Sequence, residues 1–308
     1  QVVSKLYIKS SATCMTKAEY YYSCECGEKG TETFVDENGE FSTEAHPYED
    51  VWYNDEQFHY HKSSCSHAVV KDKTVHSFGS NDTCTVCGCR KTSTGLSFEY
   101  DSNYTGYILT GIGTCKDVDV IVPSAYNEKP VVGISHKAFS NSSITSIIIP
   151  DSVTRIDGSA FAGCSGLKRI TIPDSVNYIG FSAFENCIKL ENVALGEGIT
   201  DIYPETFLGC SSLESICIPD RVNYIWYSAF ENCVKLKSVT LGKETTTISR
   251  RTFYGCNLLA NITIHKNLIS IGDYAFYGCS KLSEISIPDK VTKIGDSAFV
   301  IQTINFWC

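Results

Sequence analysis

No run of about 18 apolar residues occurs in the chain, so no transmembrane helix is expected. There is no excess of basic charge either: 26 Lys and Arg stand against 35 Asp and Glu, a net charge of -9. That balance excludes a general nucleic-acid binder, which needs a basic footprint. Nor is the chain poor in apolar residues, which make up 43% of it, so it is not a disordered one. Collagen-like and low-complexity sequence are absent. Gln1 stands where an initiator methionine would be, and no charged-then-apolar leader follows. A mature or trimmed form is therefore expected, with which a removed export signal is compatible.

What the chain does have is cysteine: 16 in 308 residues, too many for an ordinary cytosolic protein and too few for a small disulfide scaffold. They form two populations. Seven, with five of the seven histidines, lie in residues 1–93. In the remainder, Cys164, Cys187, Cys210, Cys233, Cys256 and Cys279 follow one another at intervals of 23 residues. The charge does not separate the parts, since residues 1–93 hold 9 Lys/Arg against 14 Asp/Glu, a net of -5, and 94–308 hold 17 against 21, a net of -4. The expected organisation is a Cys/His-rich module at 1–93, a cap at 94–130 and a repeat array at 131–308.

The period is plainest in the phenylalanines. Phe139, Phe161, Phe184, Phe207, Phe230, Phe253, Phe276 and Phe299 are separated by 22 residues once and by 23 thereafter. Ala138, Ala160, Ala183, Ala229, Ala275 and Ala298 precede six of them, and Thr206 and Thr252 the other two. A second column reads leucine, then two aliphatics in alternation, as in Leu167, Ile170 and Ile172 or Leu213, Ile216 and Ile218. Alternation of this kind turns both aliphatic side chains to one face of a strand. Pro150, Pro173, Pro219 and Pro288 then end the strand, because proline cannot donate to a ladder. A short apolar pair follows, such as Val176 and Ile179, and then the turn that carries the phenylalanine.

A unit of 23 residues cannot bury its own apolar face. Stacking units at the strand spacing of about 4.8 Å makes one continuous core with the phenylalanines stacked along it. Two readings stand for the periodic cysteines. They are buried thiols bonded to the backbone of a neighbouring coil, or disulfides between coils; side chains stacked in parallel point the wrong way for the latter. There is also a longer echo: VNYIGFSAFENCIKL (176–190) returns as VNYIWYSAFENCVKL (222–236), 46 residues on. This suggests growth by duplication of a pair of repeats.

The units IPDSVNYIGFSAFENCIKL (172–190) and IPDKVTKIGDSAF (287–299) resemble BspA-like leucine-rich repeats. The resemblance covers about 131–300, and 96–134 looks like the lead-in that caps such arrays. It implies a repeat solenoid of short strands and tight turns. It also implies a bacterial cell-surface or secreted protein that binds host or extracellular-matrix proteins or other cells.

The outward strand positions form the candidate binding face. Arg169, Thr171, Asn192, Thr240, Asn261, Thr263 and Glu284 belong to it, a hydroxyl-rich and nearly neutral surface expected on the concave side. It lacks the clustered carboxylates of a glycosidase, and no Ser/His/Asp constellation, phosphate-binding glycine loop or arginine cluster was found in the sequence. No catalytic residue is assigned.

Residues 1–93 carry Cys14, CECG (24–27), His46, HYH (59–61), Cys65, His67, His76 and CTVCGC (84–89). Cysteine and histidine are the ligands zinc takes in closed tetrahedral sites, so a structural, zinc-ribbon-like module is expected. Cys14, Cys24, Cys26 and His46 would hold one ion, and a set drawn from His61, Cys65, His67, His76, Cys84 and Cys87 a second. Disulfides such as Cys14 with Cys24 are the competing reading. With no H-E-x-x-H motif, catalytic zinc is disfavoured. The module resembles the Cys/His-rich segments that precede such repeats in large exported bacterial proteins. The leading expectation is thus a non-catalytic, monomeric adhesion protein with protein ligands, no nucleic acid and no membrane insertion. Alternatives are a spacer or stalk within a larger surface protein, and a zinc-dependent hydrolase.

Overall fold

A computed structural model describes residues 91–299 in full and, of the rest, the backbone of several strands. The chain divides into two compact units, Gln1–Lys91 and Thr92–Cys308. The first contains two three-stranded antiparallel sheets. One is formed by Val2–Ser10, Glu19–Ser23 and Lys29–Val35, the other by Tyr53–Asn54, Phe58–Lys62 and Val70–Val75.

The second unit is a β-solenoid, with no helix among the described residues. It begins with an antiparallel hairpin, Ser97–Asp101 with Gly106–Gly111. The inner strand of that hairpin pairs in parallel with Lys129–Ile134, which pairs in turn with Arg155–Ile156. Arg155 secures the junction from the side: its guanidinium lies 3.5 Å from Asp101 and sits over the Tyr104 ring at 4.3 Å.

Each coil then contributes two short strands. The first column runs through Ser146–Ile148, Arg169–Thr171, Asn192–Ala194, Ser215–Cys217, Ser238–Thr240, Asn261–Thr263 and Glu284–Ser286. Partners stand one repeat apart without slippage, as in Ile216 with Val239 and Val239 with Ile262. The second column runs from Arg155–Ile156 through Tyr178–Ile179, Asp201–Ile202, Tyr224–Ile225, Thr247–Ile248 and Ser270–Ile271 to Lys293–Ile294. Between the columns lies a tight turn at the proline position, closed by amide bonds such as Val222 N–H to the Pro219 carbonyl at 3.1 Å.

The inside of the solenoid repeats as closely as the sequence does. All eight phenylalanines stack in one file, with neighbouring ring centroids 5.1–5.4 Å apart and planes within 17° of parallel. The alanine before each is the small residue that admits the ring. Where threonine replaces it, the buried hydroxyl is satisfied locally: Thr206 Oγ1 donates to the Tyr203 carbonyl at 2.8 Å and Thr252 Oγ1 to that of Ser249 at 2.9 Å.

The cysteines form a ladder of thiols. Cys210 Sγ donates to the Phe184 carbonyl at 3.1 Å, and Cys164, Cys187, Cys233, Cys256 and Cys279 each do the same to the phenylalanine of the preceding coil. All six are free and buried. Burial pushes the Cys210 and Cys279 thiols up to about 12.

The phenylalanine turn shows something the residue types do not announce. Two positions before the ring, Lys137, Ser159, Ser182, Glu205, Ser228, Arg251, Tyr274 and Ser297 all adopt φ of 50–60°. Left-handed backbone costs a residue with a Cβ about 1 kcal/mol or more. The compensation is a ladder between coils. Around Phe207, the amides of Glu205, Phe207 and Gly209 donate to the Tyr227, Ala229 and Glu231 carbonyls at 3.1, 2.8 and 2.8 Å. The turn thereby satisfies its buried backbone from the next coil, as a strand would.

Two positions after the ring the backbone is left-handed again, and here the residues suit it: Asn141, Gly163, Asn186, Gly209, Asn232, Gly255 and Gly278. Their alternation has a packing cause. A Cβ on Gly163, Gly209 or Gly255 would lie 2.3, 2.4 or 2.6 Å from the side-chain oxygen of the asparagine one coil before. One coil's asparagine occupies the room that the next coil's glycine leaves. From Asn141 to Gly255 the physical unit at this position is therefore a pair of coils, in step with the 46-residue echo, which carries Asn186 and Asn232.

Candidate binding surface

The first strand column positions the candidate face. Ile170, Ile216 and Ile285 point inward and are buried, so the residues on either side of each face solvent. Arg169, Thr171, Asn192, Thr240, Asn261, Thr263 and Glu284 are all exposed. Parallel pairing places Arg169 beside Asn192, Thr171 beside Ala194, and Thr240 beside Thr263. Glu284 pairs with Asn305. The face is a grid of mostly small side chains at strand spacing, interrupted by Ile148, Arg169 and Glu284, with Cys217 exposed on it.

Its edges carry ion pairs between residues one repeat apart. Lys237 Nζ lies 2.9 Å from Glu214 Oε2, and Lys243 meets Asp220. The hydrogen bonds from these lysines hold both carboxyls below the usual carboxylate range. Exposed pairs of this kind add little stability.

Of the metal ligands expected in residues 1–93, Cys14, Cys24, Cys26, His46, Cys65, His67, His76, Cys84 and Cys87 lie outside the described residues. His61 falls in the Phe58–Lys62 strand, of which the backbone alone is described. Among the described residues no helix is long and apolar enough to cross a membrane.

The second strand column offers a surface that the sequence reading passed over. Its outward positions, and those four before each phenylalanine, carry Tyr178, Tyr203, Tyr224 and Trp226 in a contiguous aromatic run. Tyr178 and Tyr203 meet edge to face at 5.0 Å, Tyr203 and Trp226 are parallel at 6.3 Å, and Tyr224 lies 4.7 Å from Trp226. Beyond Trp226 the side chains shrink to Ser249 and Gly272, and an open cleft of about 390 Å³ results. The signal was present in the column Tyr203, Trp226, Ser249, Gly272, read coil by coil rather than along the chain.

A β-solenoid with a phenylalanine file, inward aliphatics and a solvent-facing strand grid is a leucine-rich-repeat scaffold. The family model for the BspA type leucine rich repeat region matches residues 132–259 and 246–306, with six copies, and the chain belongs to that family. Among solved structures it is similar to a leucine-rich repeat protein of T. pallidum, TpLRR, at 30% identity and a TM-score of 0.56. That match covers 61% of this chain and 88% of TpLRR. A leucine-rich repeat protein from Eubacterium ventriosum is 27% identical, with a TM-score of 0.44, over 65% of this chain and 46% of its own length. A leucine rich cell surface protein from Faecalibacterium prausnitzii is 21% identical, with a TM-score of 0.35, over 68% of this chain and 85% of its own. No curated protein matches the chain.

Proposed function

We propose that the chain is a non-catalytic bacterial protein of the cell surface or the extracellular space. It binds protein ligands, host or extracellular-matrix proteins among them, on the first strand column. One observation carries the reading: outward positions from Ser146 to Ser286 form a grid of mostly small, exposed or half-buried side chains on a continuously packed inside. Such a grid admits close approach of a partner's surface over several coils, which is how solenoids recognise proteins. Membership of the BspA-type family supports the placement outside the cell. Structural zinc in residues 1–93 belongs to the same proposal and rests on the Cys/His pattern there.

The test is capture of the full chain by a panel of extracellular-matrix proteins. Retention on at least one is expected, with loss of at least tenfold when Thr240→Lys and Thr263→Lys are combined. Silence across the panel favours the spacer. Hydrolytic activity that disappears in His61→Ala favours the hydrolase.

A further inference from the structure

The aromatic cleft on the second strand column shares no residue with the strand grid, and its lining is of a different kind. One wall is aromatic, formed by Tyr224, Trp226 and Tyr227. Trp226 is 36% exposed and Tyr227 44%, so both rings offer surface to a ligand. Trp226 is held in place rather than free to swing: its indole N–H donates to Asp201 Oδ1 at 3.4 Å, and its ring lies parallel to Tyr203. The floor carries hydroxyls. Ser270 Oγ donates to Thr247 Oγ1 at 3.3 Å, and Ser249 and Gly272 complete it.

The remaining side is charged. Arg250, Asp273 and Lys293 line it. Neither Arg250 nor Lys293 has an ion pair among the described residues. One Asp273 oxygen accepts the Asp296 amide at 2.9 Å, which fixes the carboxylate and leaves its second oxygen without a partner there.

We propose that this cleft binds an oligosaccharide, with the apolar face of one sugar ring stacked on Trp226. A pyranose has a C–H face that matches an aromatic plane and a rim of hydroxyls that both donate and accept. The cleft supplies each counterpart within one volume. Arg250 and Lys293 only donate, Asp273 only accepts, and the serine and threonine hydroxyls do either. Tryptophan and tyrosine suit such a site because they offer large rigid area with little entropy to lose. Apart from the aromatic wall, the side chains that reach into this open cleft are hydroxyl-bearing and charged, with Ile248 and Ile271 buried beneath them, and such a rim answers sugar hydroxyls. The cleft volume lies at the small end of ligand sites, the size for a short segment of a glycan chain.

The construction explains why the site stands at this point of the array. The position four before the phenylalanine reads Tyr203, Trp226, Ser249, Gly272, Gly295. Side-chain volume falls away over two coils, so Trp226 stands as a wall above the smaller residues that follow. A column that kept its aromatics would be filled, and one that lacked them would be flat.

The experiment uses the full chain on an array of neutral and uronic-acid-bearing oligosaccharides, with retained sugars measured again by calorimetry. Binding of at least one class is expected. Trp226→Ala should weaken it at least tenfold, and Ser249→Trp, which fills the cleft, should do the same. Thr240→Ala, on the other face, should leave the affinity within twofold. Arg250→Gln separates the two sources: a loss of at least tenfold marks an acidic sugar, a smaller one a neutral sugar. Circular dichroism melting of each variant establishes that the fold is kept, and Ser249→Trp decides the matter if Trp226→Ala does not fold. Retention of no oligosaccharide would overturn the proposal. So would sugar binding that neither variant weakens, or a peptide ligand that both variants release.

Discussion

Along the first strand column most outward positions keep small side chains, from Thr171 and Ala194 to Thr240, Thr263 and Ser286, with Ile148, Arg169 and Glu284 the larger exceptions. Along the second they change at nearly every step: Arg155, Tyr178, Asp201, Tyr224, Thr247, Ser270, Lys293. Both columns rest on the same inside, with buried isoleucines facing one phenylalanine file. The difference is therefore not one of folding. Coil stacking demands the inward residues and leaves the outward ones free. The proposed protein-binding grid lies where the outward side chains stay mostly small, and the proposed sugar site where they step from tryptophan to glycine.

The comparison breaks most readily from the inside, where both faces should fail together. Replacing Phe207 with Ala removes a fully buried ring from the middle of the file. A loss of about 3–5 kcal/mol is expected in denaturant unfolding. An outward change at the exposed Thr240 should move the same measurement by no more than about 0.5 kcal/mol.

The thiol ladder gives the next effect. The folded pKa values of Cys210 and Cys279 are raised, so their contribution is full below the ordinary thiol value of 9.0 and is lost as pH rises towards about 12. The unfolding free energy should fall steadily between pH 9 and 12, by roughly 1.4 kcal/mol per pH unit for each of these two thiols, read by denaturant unfolding at a series of pH values. At neutral pH, alkylation of the native protein should mark the exposed Cys217 and spare the six ladder cysteines. Marking of Cys210 under those conditions would contradict the ladder.

A smaller effect tests the pairing of coils. Gly209→Asn keeps a residue suited to the left-handed backbone but drives its Cβ against Asn186, and a cost of about 1 kcal/mol is expected. Gly278 follows another glycine, Gly255, and a Cβ there meets nothing nearer than 3.5 Å. Gly278→Asn should therefore be close to neutral. Adding Asn186→Gly to Gly209→Asn should restore only part of the loss, since the new asparagine would still stand one coil before Asn232, whose Cβ needs the same room. Equal costs at the two glycines would show that the alternation is not a packing matter.

For residues 1–93 the decisive observation is chemical. Zinc in the purified chain, with 16 titratable thiols after denaturation without reductant, is the expected outcome of the metal reading. Each disulfide would remove two thiols, and a metal-free protein would sink that reading.

How much was legible follows from how many coils share an environment. Phe207, Cys210 and Leu213 meet the same neighbours as their counterparts above and below, so the period announces them. The left-handed position two before each phenylalanine is not legible, because Lys137, Glu205, Arg251 and Tyr274 share no chemistry. Its conformation is enforced by amide bonds to the next coil, which no residue type signals. The aromatic cleft was missed for a related reason. Trp226, Ser249 and Gly272 stand 23 residues apart, and their meaning lies in the step between them. The grid of Thr171, Thr240 and Thr263 was legible because alternation with inward aliphatics settles which side chains face out.

The direct test of the division between inside and outside is one paired measurement on the Thr240→Lys, Thr263→Lys double variant: capture by the matrix-protein panel and thermal melting. Loss of capture with a melting temperature within a few degrees of the parent is expected. Capture that persists unchanged, or that is lost only together with the fold, would contradict a strand grid that binds while the phenylalanine file holds the structure.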